Sequence, residues 1–189
     1  MQSANDIKFM CRAIELAELG RGYTNPNPLV GAVIVYNNEI LASGYHAQYG
    51  KLHAERDAIQ NFINSGKDIS LLSKCTMYVT LEPCNHYGVT PPCTEAIIKY
   101  NFKRVVVGLT DPNPKMAGKS ISLLRSKGIR VDLIDNEEVI LLLKNQNKVF
   151  LKYITTKKPY VLLKVATTLD GKIATSSRVP SAISNTISH

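Results

Sequence analysis

The sequence predicts an α/β protein, a three-layer α/β/α sandwich whose mixed sheet has about five strands. The first observation is the order of the elements: a helix and two neighbouring strands come first, and strands then alternate with helices. The second is the composition of the 189-residue chain, 44% hydrophobic and 20% charged, which supplies enough apolar side chains for one sizeable core. These proportions exclude a disordered polypeptide.

The N-terminal third is expected to contain two helices and a hairpin. Residues 6–19 have apolar side chains at helical spacing and stop at a glycine, as a helix does. Residues 29–36 are a β-branched run, and a second apolar run at 39–45 follows two asparagines, which predicts two antiparallel strands. Helical spacing returns at residues 53–63.

The rest of the chain alternates short apolar runs with segments of helical spacing. The predicted elements are a strand at 76–81, a helix at 93–100, a strand at 104–109, a helix at 118–126, a strand at 129–134 and a helix at 136–148. We assign residues 1–147 to one domain and the lysine-rich residues 148–157 to a linker. Residues 158–189 are a further segment that is expected to begin with a strand at 160–166.

Composition and charge limit the expected cellular location and the expected binding partners. No run approaches the ~18 apolar residues of a membrane span, and Asp6 stands where a secretory signal is apolar, so we expect a soluble, cytoplasmic protein. The net charge is +8, from 23 basic and 15 acidic residues, which suits a nucleic acid, a phosphorylated small substrate or a plain basic surface. No basic block or basic–aromatic tract accompanies it, so we expect no nucleic-acid partner.

The strongest chemical signal is the combination of His53, Glu55, Cys84 and Cys93. One histidine and two cysteines leave the fourth position of a tetrahedral zinc open, which is typical of a catalytic site. Glu55 is poorly placed for the same metal but well placed, at the start of a helix, to move protons beside it. This is the His-x-Glu…Pro-Cys pattern of the zinc nucleobase deaminases.

The four cysteines are not equivalent. In a chain of this length without an export signal they favour thiols or metal ligands over disulfides. Cys93 follows two prolines at the start of a helix, where exposed N–H groups favour a thiolate, so we expect it to be primed for metal. We expect Cys11 and Cys75 to be core or surface thiols.

The spacing of the two cysteine ligands points to a particular family. Eight residues separate them in TLEPCNHYGVTPPC, whereas most zinc deaminases have Pro-Cys-x-x-Cys. This insertion resembles the deaminase half of the RibD-type pyrimidine deaminase/reductases of riboflavin biosynthesis. Three further motifs carry the resemblance: TNPNPLVGAVIV at 24–35, GYH at 44–46 and DPNP at 111–114.

The resemblance covers about residues 5–147 and implies a cytidine-deaminase-like fold. It also extends weakly into the next segment, because KPYVLLKVATTLDGKIA at 158–174 is similar to the opening strand of the family's reductase domain. Residues 175–189 do not follow the family pattern, so we expect no reductase activity and no use of NADPH. Either the reductase is encoded separately, or the chain is a truncated or decaying gene product.

The resemblance implies hydrolytic deamination of 2,5-diamino-6-ribosylamino-4(3H)-pyrimidinone 5′-phosphate, which gives 5-amino-6-ribosylaminouracil 5′-phosphate and ammonia. By analogy, one zinc ion per chain is held by His53, Cys84 and Cys93 and activates a water that attacks the ring carbon bearing the amino group. Glu55 would take the proton from that water and deliver it to the leaving nitrogen, work that usually contributes about 10²–10⁴-fold.

The family's substrate contacts carry over onto Asn27, His46, His86, Asp111 and Asn113. Aspartate and asparagine in a proline-rich turn are chemically suited to ribose hydroxyls. From the residues alone, DPNP indicates a simple turn, His46 a hydrogen-bonded strand end and His86 a solvated loop, so the assignment depends on the resemblance.

One departure concerns the substrate phosphate. The family usually has a Lys or Arg between the Gly and Thr of the long cysteine loop, and this chain has Val89. Losing one charge-assisted phosphate contact costs about 1.5–3 kcal/mol of binding. Lys51 and Lys115 are the nearby basic residues that could replace it.

Two other functions stay open. The positive charge would suit a deaminase of tRNA or single-stranded DNA, although the cysteine spacing, the DPNP turn and the absence of a basic–aromatic tract oppose it. Val89 and the missing reductase would suit a catalytically weak zinc-binding remnant that acts as an interaction module. Deaminases of this resemblance commonly assemble, so we expect a homo-oligomer.

Overall fold

The computed structural model describes residues 3–88, 90–113, 116–174 and 176. Its strands are β1 (Gly31–Tyr36), β2 (Glu39–Tyr45), β3 (Thr76–Leu81), β4 (Arg104–Leu109) and β5 (Arg130–Leu133). Its helices are α1 (Ala4–Glu18), α2 (Ala54–Asn64), α3 (Cys93–Lys99), α4 (Lys119–Ser126), α5 (Glu137–Gln146) and α6 (Lys148–Thr156), with a 3₁₀ helix at Ile69–Lys74. No helix in these ranges has the length and apolar character needed to cross a membrane.

The strands form one mixed sheet in the order β2-β1-β3-β4-β5. β1 pairs antiparallel with β2 and β3, whereas β3, β4 and β5 run parallel. In register, Ala32 faces Val79, which in turn faces Val107. The carboxyl ends of β3 and β4 therefore meet at one edge of the sheet, and the loops that follow them lie side by side.

Helices cover both faces of the sheet, which confirms the predicted three-layer fold. Alternate residues of β1 enter different cores, so its unbroken apolar run is explained by burial on both faces. The residues of one core come from α2, α3, α4 and the sheet, among them Ala32, Ile34, Ala58, Phe62, Ile97 and Leu124. Those of the other come from α1, α5 and the opposite face, among them Phe9, Met10, Val33, Val35, Tyr78 and Leu143.

Two glycines allow helices to lie directly on strands. A Cβ at Gly44 in β2 would approach the backbone nitrogen of Ala58 in α2 to 2.3 Å, and one at Gly31 would approach the carbonyl oxygen of Ala13 to 2.0 Å. Real Cβ atoms do not reach such distances, so α2 and α1 rest backbone to backbone on the sheet. The N-terminus of α2 is thereby held in a fixed place.

A buried ion pair ties α1 to the central strands. The carboxylate of Asp6 accepts two hydrogen bonds from Arg104, at 2.7 and 3.1 Å, and one from the hydroxyl of Tyr78 at 2.8 Å. Burial alone would raise the pKa of Asp6, but the hydrogen bonds from Arg104 and Tyr78 outweigh it and lower the pKa to about 2. Asp6 is therefore ionised throughout the neutral range.

The secondary structure of the C-terminal segment differs from the sequence-based expectation. Residues predicted to be a linker form α6, because half-buried apolar side chains at helical spacing lie between its exposed lysines. The strand predicted at 160–166 does not form: these residues have no regular secondary structure and are mostly exposed. A lone strand without a neighbour leaves its backbone groups unpaired. A turn follows, in which the Thr168 backbone N–H donates to the carbonyl of Lys172 at 2.9 Å.

By internal contacts the chain divides into two units, residues 1–159 and 160–189. The predicted departure from the family pattern at 175–189 lies outside the described residues except at Ser176. Val89 and Lys115 also lie outside them.

Candidate metal centre and adjoining pocket

Three elements bring the predicted metal ligands together. His53 is the N-cap residue of α2 and makes no side-chain capping hydrogen bond, which leaves its imidazole to act elsewhere. Cys84 lies in the loop after β3, and Cys93 is the first residue of α3. The carboxyl end of a parallel strand and two helix N-termini therefore converge on one point.

The distances between these side chains suit a tetrahedral zinc. Nδ1 of His53 lies 3.4 Å from Sγ of Cys84 and 3.5 Å from Sγ of Cys93, and all three ligand atoms lie within 4.8 Å of one another. Tetrahedral bonds of about 2.3 Å to sulfur and 2.1 Å to nitrogen place such atoms about 3.6 Å apart. A His/Cys/Cys set with this spacing can hold zinc and leave one coordination position for a ligand or water.

The start of α3 supplies a hydrogen bond to the other cysteine of the group. The backbone N–H of Cys93, at the start of α3, donates to Sγ of Cys84 at 3.2 Å rather than stabilising its own thiolate. Hydrogen bonds from the Cys93 thiol, from His53 and from this N–H lower the pKa of Cys84 to about 4 despite its burial. The pKa of Cys93 is raised instead, because its thiol donates to Cys84 and is fully buried.

The loop between the two cysteines is closed at its base. The backbone N–H of Thr94 donates to the carbonyl of Cys84 at 3.2 Å, and its hydroxyl donates to Oδ1 of Asn85 at 3.1 Å. Arg56, on α2, donates to the carbonyls of Pro91 and Pro92 at 3.0 and 2.8 Å. These bonds fix the start of α3 relative to Cys84 and α2.

Glu55 lies beside the metal-ligating group in the first turn of α2. Its residue surface is only 3% exposed. Burial, and then the charge of Cys84, raise its pKa to about 7, and neighbouring hydrogen bonds oppose the shift only partly. A carboxyl group with a pKa near neutrality can both accept and return a proton, which is the requirement for a general acid–base residue.

A cavity of about 450 Å³ opens above this group. Every predicted site residue except the fully buried Cys93 lines it: Asn27, His46, His53, Glu55, Cys84, His86, Asp111 and Asn113. The structure therefore brings together all the side chains that the sequence singled out. Sequence reasoning missed the roles of Glu82, Thr90, Phe150 and Ile154, which also line the cavity.

Asn27 and His46 form a pair at the cavity wall. Nδ1 of His46 lies 2.9 Å from the carbonyl oxygen of Leu52, which can only accept, so this nitrogen carries the proton. Nε2 then accepts from the Asn27 side-chain amide at 3.1 Å. Burial lowers the pKa of His46 and keeps the ring neutral. His46 thus orients Asn27 so that its amide oxygen is available to a donor.

Glu82 holds the loop after β4, which also lines the cavity. Its buried carboxylate accepts backbone N–H groups of Asp111, Gly118, Ser120 and Ile121 at 2.9–3.4 Å. The side chain of Asp111 in turn accepts the N–H of Asn113 at 2.8 Å. One carboxylate after β3 therefore shapes the loop after β4. The sequence signal was a charged residue directly before Pro83, where a strand leaves the core.

Thr90 adds a polar group to the wall. Its hydroxyl oxygen is buried and makes no hydrogen bond with any part of the chain that the structure describes. A buried hydroxyl costs free energy unless it finds a partner. Because Thr90 lines the cavity, a bound molecule can supply that partner.

Comparison with known proteins identifies the class. Residues 3–109 match the family described as cytidine and deoxycytidylate deaminase zinc-binding region, and the chain belongs to that family. The dCMP deaminase of the cyanophage S-TIM5 shares the fold, with a TM-score of 0.55 and 21% identity over 71% of this chain and 100% of that chain. Fold, ligand group and family together define a hydrolytic deaminase domain.

Within that class the similarity is to the RibD proteins. The chain is 49% identical over 177 residues to the riboflavin biosynthesis protein RibD of Actinobacillus pleuropneumoniae. The matched region covers 93% of this chain and 44% of that protein. A deaminase/reductase of Thermotoga maritima superposes with a TM-score of 0.86 and 44% identity, over 96% of this chain and 50% of that chain. The chain thus spans about half the length of the curated relatives it matches, and the predicted resemblance is confirmed.

Proposed function

We propose that this chain catalyses the hydrolytic deamination of 2,5-diamino-6-ribosylamino-4(3H)-pyrimidinone 5′-phosphate. Water replaces the exocyclic amino group, which leaves as ammonia, and the product is 5-amino-6-ribosylaminouracil 5′-phosphate. The observation that carries the proposal is the position of Glu55, buried beside the His53, Cys84 and Cys93 group at the floor of a cavity lined by polar side chains. The similarity to RibD proteins supports the choice of substrate.

His53, Cys84 and Cys93 would hold the zinc ion. When bound there, zinc supplies a Lewis acid that lowers the pKa of the attacking water. Glu55 takes the proton that this water loses and returns it to the departing nitrogen. Burial gives the Glu55 carboxyl the raised pKa that both transfers need.

The remaining polar groups of the cavity bind and orient the substrate. Asn27, held by His46, presents its amide oxygen to a ring N–H or amino group. Asp111, which donates its backbone N–H to Glu82, and Asn113, which donates its N–H to Asp111, are suited to ribose hydroxyls. These contacts hold the ring carbon that bears the amino group in a fixed position relative to Glu55. Such positioning lowers the activation barrier of the reaction.

The phosphate requires a cation, and Lys51 at the cavity mouth is the basic residue in the described lining. His86 lies on the exposed side of the same cavity and can donate to a phosphate or ribose oxygen. We propose that Lys51 takes the place of the basic residue that the family carries where this chain has Val89.

The test is ammonia release by the zinc-loaded protein supplied with the diaminopyrimidinone ribosyl phosphate. Glu55→Gln is the matched control, because it keeps the volume of the side chain and removes its proton transfer. We expect release by the wild type, loss of at least about 10²-fold in the variant, and equal zinc content in both by elemental analysis. A zinc-loaded, folded wild type that releases no ammonia would exclude this activity and favour a catalytically inactive remnant.

A further inference from the structure

Helix α6 has one apolar face, and that face is only half buried. Phe150, Leu151 and Ile154 are partly covered, whereas Val149 and Tyr153 are about 55% and 54% exposed. No residue of α6 is fully buried.

Two of the partly covered side chains of that face line the cavity. Phe150 and Ile154 line it together with His53, Glu55 and Cys84. The two side chains are one helical turn apart, so they form a continuous apolar surface. Without a ligand this surface faces water, and a flat heterocycle placed against it would remove that water.

The start of α6 is fastened to the loop that carries Asn27. The side chain of the buried Asn147 accepts the backbone N–H of Leu29 at 2.8 Å and donates to the carbonyl of Leu29 at 2.9 Å. Both backbone groups of Leu29 are thus satisfied by one side chain, as they would be by a paired strand. Leu29 lies two residues after Asn27, and Phe150 lies three residues after Asn147.

We propose that Phe150 and Ile154 form a wall against which the heterocyclic base of the substrate packs. The wall supplies apolar contact, while Asn27 and the loop after β4 supply hydrogen bonds. The identity of the base depends on the proposed function, whereas the apolar lining belongs to the cavity itself.

Steady-state kinetics test the contact. Phe150→Ala should raise KM about five- to hundredfold, the range for loss of one base–aromatic contact, with kcat changed less than about threefold. Phe150→Tyr should restore most of the loss because the ring is kept. Tyr153→Ala, on the exposed side of the same helix, is the matched control and should leave KM unchanged. Equal effects of Phe150→Ala and Tyr153→Ala on KM would overturn the proposal.

Fluorescence gives a test that does not require turnover. The chain has no tryptophan, so Phe150→Trp places a single reporter on the wall and Tyr153→Trp places one outside it. Each is combined with Glu55→Gln, loaded with zinc and titrated separately with the diaminopyrimidinone ribosyl phosphate and with dCMP.

A saturable change in emission at position 150 but not at 153, with either ligand, supports the wall. A change with dCMP alone supports the wall and refutes the proposed substrate. No change at position 150 with either ligand, or equal changes at both positions, refutes the wall whatever the natural substrate is.

Discussion

The substitution Glu82→Gln tests whether one buried carboxylate holds the loop after β4. In the wild type one carboxylate oxygen accepts the N–H groups of Ser120 and Ile121, and the other accepts those of Asp111 and Gly118. Glutamine keeps one oxygen that can accept one pair of these N–H groups. In place of the other oxygen it has an NH₂ group, which cannot accept a hydrogen bond from the second pair. Two charge-assisted hydrogen bonds are lost, each worth about 1.5 kcal/mol, so the free energy of unfolding should fall by about 3 kcal/mol.

The same change should weaken substrate binding, because the loop carries Asp111 and Asn113. We expect KM to rise about tenfold. The assays are urea unfolding of the zinc-loaded protein and ammonia release at varied substrate concentration. Glu39→Gln, at an exposed position in β2, is the control and should change the free energy of unfolding by less than about 0.5 kcal/mol. If Glu82→Gln behaves like this control in both assays, the carboxylate does not hold the loop.

Three further changes test other parts of the structure. The pKa of Asp6 is lowered to about 2, below its unfolded value of about 3.9, so its stabilisation is complete above pH 4 and lost as pH falls towards 2. Asp6→Asn should therefore cost about 2 kcal/mol at pH 6 and much less at pH 2 in urea unfolding; a penalty independent of pH would contradict this. Lys51→Gln should raise KM about tenfold or more, because a charge-assisted contact to the phosphate is lost. Lys103→Gln, at the exposed position directly before β4, is the control and should leave KM unchanged. If the two variants have the same KM, Lys51 does not bind the phosphate. Arg56→Gln should lower zinc affinity about ten- to hundredfold in chelator competition, because the clamp on the cysteine loop is lost, and an unaltered affinity would show that the clamp is dispensable.

The fold could be predicted because its signals are local. The hairpin and the alternating strands and helices each show their own period in the sequence, and their order restricts the sheet to few arrangements. α6 was missed because its lysines and threonines obscure the helical spacing of its apolar positions. The strand predicted at 160–166 did not form for the opposite reason: its apolar run is clear, but within the part of the chain that the structure describes no strand pairs with it.

The metal-ligating group could also be predicted, because ligand types and chain order are visible in the sequence. The walls of the cavity could not. Glu82 acts on backbone N–H groups 29 to 39 residues later in the chain, and nothing in its neighbourhood indicates them. Phe150 lines the cavity from the first turn of α6, and Asn147 before it is hydrogen-bonded to Leu29, a contact across 118 residues. Such relations depend on the folded chain and leave no local pattern.

The loop between Cys84 and Cys93 has two roles: its base fixes the spacing of the metal ligands, and its tip lies at the cavity. The hydrogen bonds at the base of the loop, next to Cys84 and Cys93, involve Asn85, Thr94 and Arg56. Further along the loop, the hydroxyl of Tyr87 donates to Glu95 of α3. Substitutions or length changes at the tip can therefore alter what enters the cavity while the geometry of the metal ligands is retained. In this architecture, new substrate preferences can arise by exchanging a short surface segment, without rebuilding the chemistry beneath it.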